Sequence, residues 1–345
     1  MRPTDLLSIT PAGIHCAPGG FHIDPVRPVP RALVTHGHSD HARAGHGAVL
    51  ATGDTLAIMA LRYGEGFAGA TQKAVLGEPI RIGDVTVRFH PAGHVLGSAQ
   101  ISVEAGGCRI VASGDYKRAA DPTCIPFEPV PCDVFITEAT FGLPVFRHPD
   151  VRNEIGRLLA SVRLFPDRAH MVGAYALGKA QRLIALLREA GLDGPVYIHG
   201  ALEKLTEFYA SRGIELGEIR KVAAADRAAL AGAIVVCPPS ALQDVWSRRF
   251  PDPVTAFASG WMRVRARARQ RGVELPLVVS DHADWDDLCR TIDEVGAGEV
   301  WVTHGQEDAL VHRCRSRGLR ARPLHMIGYG DEGEVEPGEA EGPAA

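Results

Sequence analysis

Short apolar stretches separated by turn residues fill the first third of the chain. Residues 21–24, 31–35, 49–52, 79–81, 85–90, 100–104 and 110–113 each predict a strand, and Gly83-Asp84 predicts a hairpin turn between two of them. Asp54 is placed to cap a helix that runs to about Tyr63, and residues 133–137 predict a further buried strand. After Gly142-Leu143-Pro144 the pattern changes. Helical periodicity over 151–162, 180–190 and 202–211 alternates with short apolar runs at 196–199, 233–237 and 254–258. Such alternation predicts an α/β unit with a parallel sheet. Strand-then-helix texture returns at 277–280 and 299–303, so an α/β cassette interrupts a strand-rich domain. The expected boundaries are 1–147 and 263–330 for the two parts of that domain, 148–262 for the cassette, and a disordered tail over 331–345.

Composition narrows the class. The 345 residues are 46% hydrophobic and 23% charged, as in an ordinary globular protein. Six of the 41 acids lie in the last fifteen residues, which contain no Lys or Arg, leaving 37 bases against 35 acids elsewhere. The net charge of −4 is therefore a property of the tail and does not argue against a nucleic-acid partner. The first twenty residues hold no signal-peptide run, and nowhere is there an apolar window of about eighteen residues that would span a membrane. Seven scattered cysteines without a CxxC pair fit neither a disulfide framework nor a Cys-type zinc finger, and point to a reducing cytoplasm.

The densest chemistry is Thr35-His36-Gly37-His38-Ser39-Asp40-His41, directly after a strand. Alternate residues of an extended segment point the same way, so His36 and His38 converge on one point while Asp40 and His41 reach a second. Imidazole and carboxylate suit zinc or manganese. His94, Asp115 and His304 each stand beside Gly where a strand ends, which gives two sets: His36, His38 and His94, and Asp40, His41 and His304, with Asp115 shared between two cations. A lone His beside Gly is ordinarily a turn residue; four potential ligands in six residues are not. His46 and His90 have no place in the scheme and read as core or surface histidines.

With Asp24 ahead of it, this ladder resembles the metallo-β-lactamase superfamily. The resemblance implies two β-sheets sandwiched between helices, an αββα arrangement with two divalent metals at one edge, and Asp24 as a supporting carboxylate. Further motifs narrow it: Glu138 at the end of a strand in Phe135-Ile136-Thr137-Glu138-Ala139-Thr140, Gly178-Lys179 opening a helix, and His282 in Val279-Ser280-Asp281-His282. Together these resemble the β-CASP nucleases, which carry an inserted α/β domain. Ala92 to Gln100 and Ala174 to Gln181 are most similar to the bacterial ligase-associated DNA exonucleases. The likeness runs from Gly13 to Ile327.

That resemblance implies a two-metal phosphodiesterase that digests DNA ends, 5′ to 3′, in repair beside an ATP-dependent DNA ligase and a helicase. Asp115 would hold both metals, His282 would serve the leaving group as general acid, and Glu138 would orient it. Lys117, Gly178, Lys179 and Ser280 are candidate phosphate contacts. Arg263, Arg265, Arg267, Arg269 and Arg271 form one basic stripe if extended and spread around the axis if helical. Histidine at position 304 is a feature of RNA-processing members, so an RNase J-type ribonuclease is the main alternative. A small-ester hydrolase would leave the cassette unexplained, and a non-catalytic scaffold ordinarily lacks ligands that are all present here.

Overall fold

The computed structural model describes residues 1–222 and 230–324; the acidic run expected to be disordered lies outside them. Three sheets organise the chain. The first takes Ser8–Thr10, Gly13–Cys16, Phe21–Ile23, Arg31–Leu33, Ala48–Thr52 and Thr71–Ala74 in that order. The second runs Arg320–Pro323, Glu299–Gly305, Val134–Ala139, Cys108–Ala112, Ala99–Ala105, Val85–Pro91, Ile80–Ile82. Its antiparallel half closes through the Gly83-Asp84 turn, with Ile82 paired to Val85.

These two sheets face each other. Phe21, Ile23, Leu33 and Leu50 of the first share one core with Phe89, Ile101, Val103, Ile136 and Trp301 of the second. Both outer faces are covered as well. Helices Trp285–Val295 and Glu307–Ser316 pack Leu288, Ile292, Leu310 and Cys314 on Val111, Phe135, Val300 and Val302. Helix Gly53–Tyr63 lays Met59 on Val34, Val49 and Ala51. The result is the four-layer αββα sandwich. Burial on both faces explains why Val134–Ala139 has no exposed position and no polar alternation.

The third sheet is wholly parallel: Ile219–Lys221, Val196–Ile198, Ile234–Cys237, His170–Gly173, Val254–Ala258, Leu275–Leu277. Helices Val151–Leu164, Lys179–Glu189 and Glu203–Ser211 pack against it through a core that includes Leu158, Leu183, Leu187 and Tyr209. Ile58 of the helix Gly53–Tyr63 reaches into the same core, so the third sheet's layer is anchored to the sandwich. Among the described residues, no helix is long and apolar enough to cross a membrane.

The structure corrects two local expectations and decides between the two arrangements open to the arginine run. The strand expected at 277–280 is Leu275–Leu277, and it pairs with Val254–Ala258 in the third sheet, so that sheet extends past residue 262. The apolar run Leu277-Val278-Val279 drew the reading two residues too far. Thr52, not Asp54, caps the helix Gly53–Tyr63, its hydroxyl accepting from the Thr55 amide. Four of the five alternating arginines fall on the helix Arg265–Arg271, which splits the stripe between faces.

Candidate metal centre

The His-rich loop leaves the first sheet at Leu33 and is held by Asp24, whose backbone has the left-handed φ of 43°. The Asp24 carboxylate accepts from the Thr35 amide at 2.8 Å and its hydroxyl at 2.6 Å, and from His41 Nδ1 at 2.8 Å. Arg62 adds a clamp, donating from Nη1 to the Gly37 carbonyl at 2.8 Å. Gly37 itself lies so close to the helix Gly53–Tyr63 that a Cβ there would come within 2.6 Å of Ile58 Cγ2.

His36, His38, His94 and Asp115 meet at one buried point, with one ligand atom of each within 4.8 Å of all the others. Each imidazole is fixed from outside. His36 Nδ1 donates to Thr35 Oγ1 at 3.0 Å, His38 Nε2 to the Leu177 carbonyl at 3.2 Å, and His94 Nδ1 to the Asp281 carbonyl at 2.8 Å. The opposite nitrogens, His36 Nε2, His38 Nδ1 and His94 Nε2, are thereby left as lone pairs facing inward. His38 Nδ1 and His94 Nε2 approach to 3.0 Å. His36 Nε2 is buried without a hydrogen-bond partner among the described residues. Lone pairs crowded in this way repel unless a cation sits between them, so the donor set fits a divalent metal. Burial, with the neighbouring imidazoles, holds His36 and His94 well below the usual histidine range and keeps them neutral.

Asp115 borders a second cluster. Its Oδ2 lies 3.4 Å from His41 Nε2, which is 3.7 Å from Asp40 Oδ2. The His304 ring stacks on that of His41 at 4.9 Å. The structure thus brings Asp40, His41 and His304 to the far side of Asp115, although among the described residues they do not close to 4.8 Å as a set. Burial opposes a charged His41, but Asp115, Asp40 and Asp24 outweigh it and raise its pKa well above the ordinary value. The pocket therefore attracts positive charge. His304, which like Asp24 has a left-handed φ (55°), is pushed down to about 3 by burial and by His41.

Glu138 and His282 adjoin this centre. A register shift between Val134–Ala139 and Glu299–Gly305 falls at Thr137/Ala139 and takes Glu138 out of the ladder. Its Oε1 accepts from the Tyr116 amide at 2.7 Å and its Oε2 from His282 Nδ1 at 2.9 Å. Burial works against a charged His282, but Glu138, aided by Asp115 and Asp281, pushes its pKa up to about 10. Ser280 accepts from the His282 amide at 3.0 Å and shapes the turn. His282 opens onto a cleft of about 600 Å³ also lined by Lys117, His148, Arg182 and Ser280.

Two expected phosphate contacts are already engaged. Lys117 is buried and bound to Asp121, which also meets Arg182 Nε at 3.2 Å. Lys179 is buried against Asp281 at 2.9 Å and lies over the Tyr175 ring. The Gly178 amide is taken by Gln181 Oε1 at 2.9 Å, so Gly178-Lys179 is not an open anion cradle. His46 accepts from the Val29 amide and His90 meets Ser102, as core residues do. The Leu177 carbonyl, Asp281 and Gln181 lie within the stretches 174–181 and 279–282 singled out in the sequence, which gave them no role of their own.

The αββα sandwich thus holds a buried His/Asp cluster whose donor set suits a divalent metal. Residues 22–170 match the profile described as Metallo-beta-lactamase superfamily. The chain is 31% identical over 336 residues to a "Probable DNA ligase" of Opitutus terrae, covering 94% of this chain and 31% of that one. It is 28% identical over 137 residues to an "RNase J-like protein" of Methanocaldococcus jannaschii, 37% of this chain and 32% of that one. It is 33% identical over 130 residues to "Cleavage and polyadenylation specificity factor 73" of Drosophila melanogaster, 36% of this chain and 18% of that one. The chain thus spans about a third or less of the length of these curated relatives. A crystal structure of a protein of unknown function from Enterococcus faecalis V583 superposes with a TM-score of 0.54 at 12% identity, over 79% of this chain and 74% of that one, which speaks for the fold alone.

Proposed function

We propose that the protein is a β-CASP-type DNA exonuclease that hydrolyses phosphodiester bonds at DNA ends with two divalent metals, zinc or manganese, and serves repair beside an ATP-dependent DNA ligase and a helicase. One observation carries DNA over RNA: the likeness to a probable DNA ligase runs along 94% of the chain, whereas that to the RNase J-like protein covers 37%. Digestion from the 5′ end follows from the family likeness.

The first metal falls to His36, His38, His94 and Asp115, the second to Asp40, His41, His304 and the shared Asp115. Bound there, divalent metals supply charge neutralisation on the phosphate and an activated water. The chain contributes the rest. Asp24 orients the loop through Thr35 and His41. Glu138 holds His282 Nδ1–H, so that Nε2 is the atom that gives its proton to the leaving oxygen, and the cleft beside it receives the end of the strand. Lys179 and Gly178 act from behind the site, and Lys117 lines the cleft with its ammonium held by Asp121.

The test uses purified protein with added manganese or zinc and matched 5′- and 3′-labelled single-stranded DNA and RNA. Shortening of DNA from its 5′ end, stopped by His282→Ala, is the expected result. Cleavage of RNA with DNA spared would overturn the DNA assignment and favour the ribonuclease, for which His304 is the specific observation.

A further inference from the structure

The His38 ligand is oriented by a part of the chain far from it. Its Nε2–H donates to the Leu177 carbonyl, across 139 residues of sequence, from the layer built on the third sheet. That carbonyl belongs to the turn leading into the helix Lys179–Glu189, and the turn is built around one side chain. Gln181 is fully buried. Its Oε1 accepts from the Gly178 amide at 2.9 Å, and its Nε2 donates to the Ala176 carbonyl at 3.1 Å and to Thr206 Oγ1 at 3.1 Å. Thr206 in turn donates to the Leu202 carbonyl at 2.8 Å, tying the group to the next helix. Gly178 completes the turn with φ of 86°, and a Cβ there would come within 2.4 Å of Val95 Cγ1, beside His94. The amide of Gln181 thus brackets Leu177 on both sides.

We propose that Gln181 is a positioning residue of the metal centre: by clamping Ala176 and Gly178 it sets the Leu177 carbonyl, which fixes the tautomer and tilt of His38 and so the affinity of the first metal. The proposal rests on the metal reading of the site. A carbonyl displaced by a few tenths of an ångström releases the His38 Nε2 proton, and the inward Nδ1 is then no longer held as a lone pair. The third sheet's layer therefore takes part in metal retention and does more than shape a substrate surface.

The test titrates manganese or zinc alone into metal-stripped protein against a competing chelator, well below the unfolding temperature. Gln181→Met matches the side-chain length without the hydrogen bonds and is expected to weaken one of two metals about 10–100-fold. Gly178→Ala keeps Gln181 but displaces the turn, and is expected to do the same. Leu187→Ala, on the same helix in the apolar core, is expected to lower the unfolding temperature and leave metal affinity unchanged. Wild-type affinity in folded Gln181→Met or Gly178→Ala overturns the proposal. So does an equal loss in Leu187→Ala, which would trace the effect to stability. Wild-type protein that takes up no metal would instead overturn the metal reading beneath it.

Discussion

Glu138 and His282, 144 residues apart in sequence, are joined by a 2.9 Å hydrogen bond from His282 Nδ1 to Glu138 Oε2 beside the His/Asp cluster. The carboxylate sits where the ladder slips, and its other oxygen is anchored to a backbone amide. A fixed carboxylate behind an imidazole is the arrangement that the proposed general-acid role of His282 requires. His282→Ala is therefore expected to lower kcat by about 10²–10⁴-fold with KM and metal content near wild type. Glu138→Gln keeps a hydrogen-bonding group but loses the charge, and should fall between the two. Steady-state kinetics with metal analysis check both. Loss of metal from His282→Ala would make it a ligand instead.

Asp115 stands between both clusters, 3.5 Å from His36 Nε2 and 3.4 Å from His41 Nε2. Burial opposes its charge, but His41, His282 and His36 hold its pKa well below the carboxylate range, so it is ionised and available as a bridge. Metal at a hundredfold excess over its Kd is expected to stabilise wild-type protein by about 2.7 kcal/mol per site. Asp115→Asn should abolish both that gain and nuclease activity. Thermal unfolding with and without manganese, after chelator treatment, reads this directly.

The contrast between ligands and supports explains what the sequence made legible. His36, His38, Asp40 and His41 lie within six residues on one loop, and strand ends bring His94 and Asp115 to His36 and His38, a convergence that a chain-local pattern can carry. The apolar runs marked most strands and the inserted α/β cassette, whereas the αββα layering came from the family resemblance. Lys117 and Lys179 misled because a lysine looks identical in sequence whether it reaches solvent or is buried against Asp121 or Asp281. Gln181 and Leu177 lie in a stretch the sequence singled out, but their role was not legible: a backbone carbonyl has no sequence signature, and its partner His38 is on a distant segment. The arginine run permitted two conformations, and strong helix formers, Ala and Arg, ending at Gly272 with φ of 64°, decided for the helix.

That helix divides the arginines by their surroundings. Arg267 lies 3.9 Å over the Trp261 ring and Arg271 5.5 Å over Phe257, whereas Arg265 and Arg269, four residues apart on one face of the helix, are exposed. If this face tracks the phosphate backbone, replacing Arg265 and Arg269 with Ala should reduce the slope of log affinity against log salt by about 1.4 for single strands. Arg267→Ala should lower the unfolding temperature by removing the Trp261 stack. Binding measured across a salt series, in chelator to prevent cleavage, checks the first; an unchanged slope would move the nucleic acid to another face.

Asp121 is buried between two cations, Lys117 and Arg182. Burial opposes its ionisation, but those neighbours prevail and lower its pKa below the ordinary carboxylate value. A carboxyl whose folded pKa is depressed stabilises the fold fully above its unfolded pKa, about 3.9, and that stabilisation is lost as pH falls through the folded value. Asp121→Asn leaves the two cations facing each other without a counter-charge and is expected to cost about 3–5 kcal/mol at neutral pH. Because the wild type forfeits the same interaction in acid, the gap between wild type and variant should be full at pH 7 and shrink below about pH 3.9. Urea unfolding at a series of pH values measures it. A gap that stays constant into acid would mean that the three side chains do not act as an ion cluster, and that Lys117 is available to the cleft beside His282.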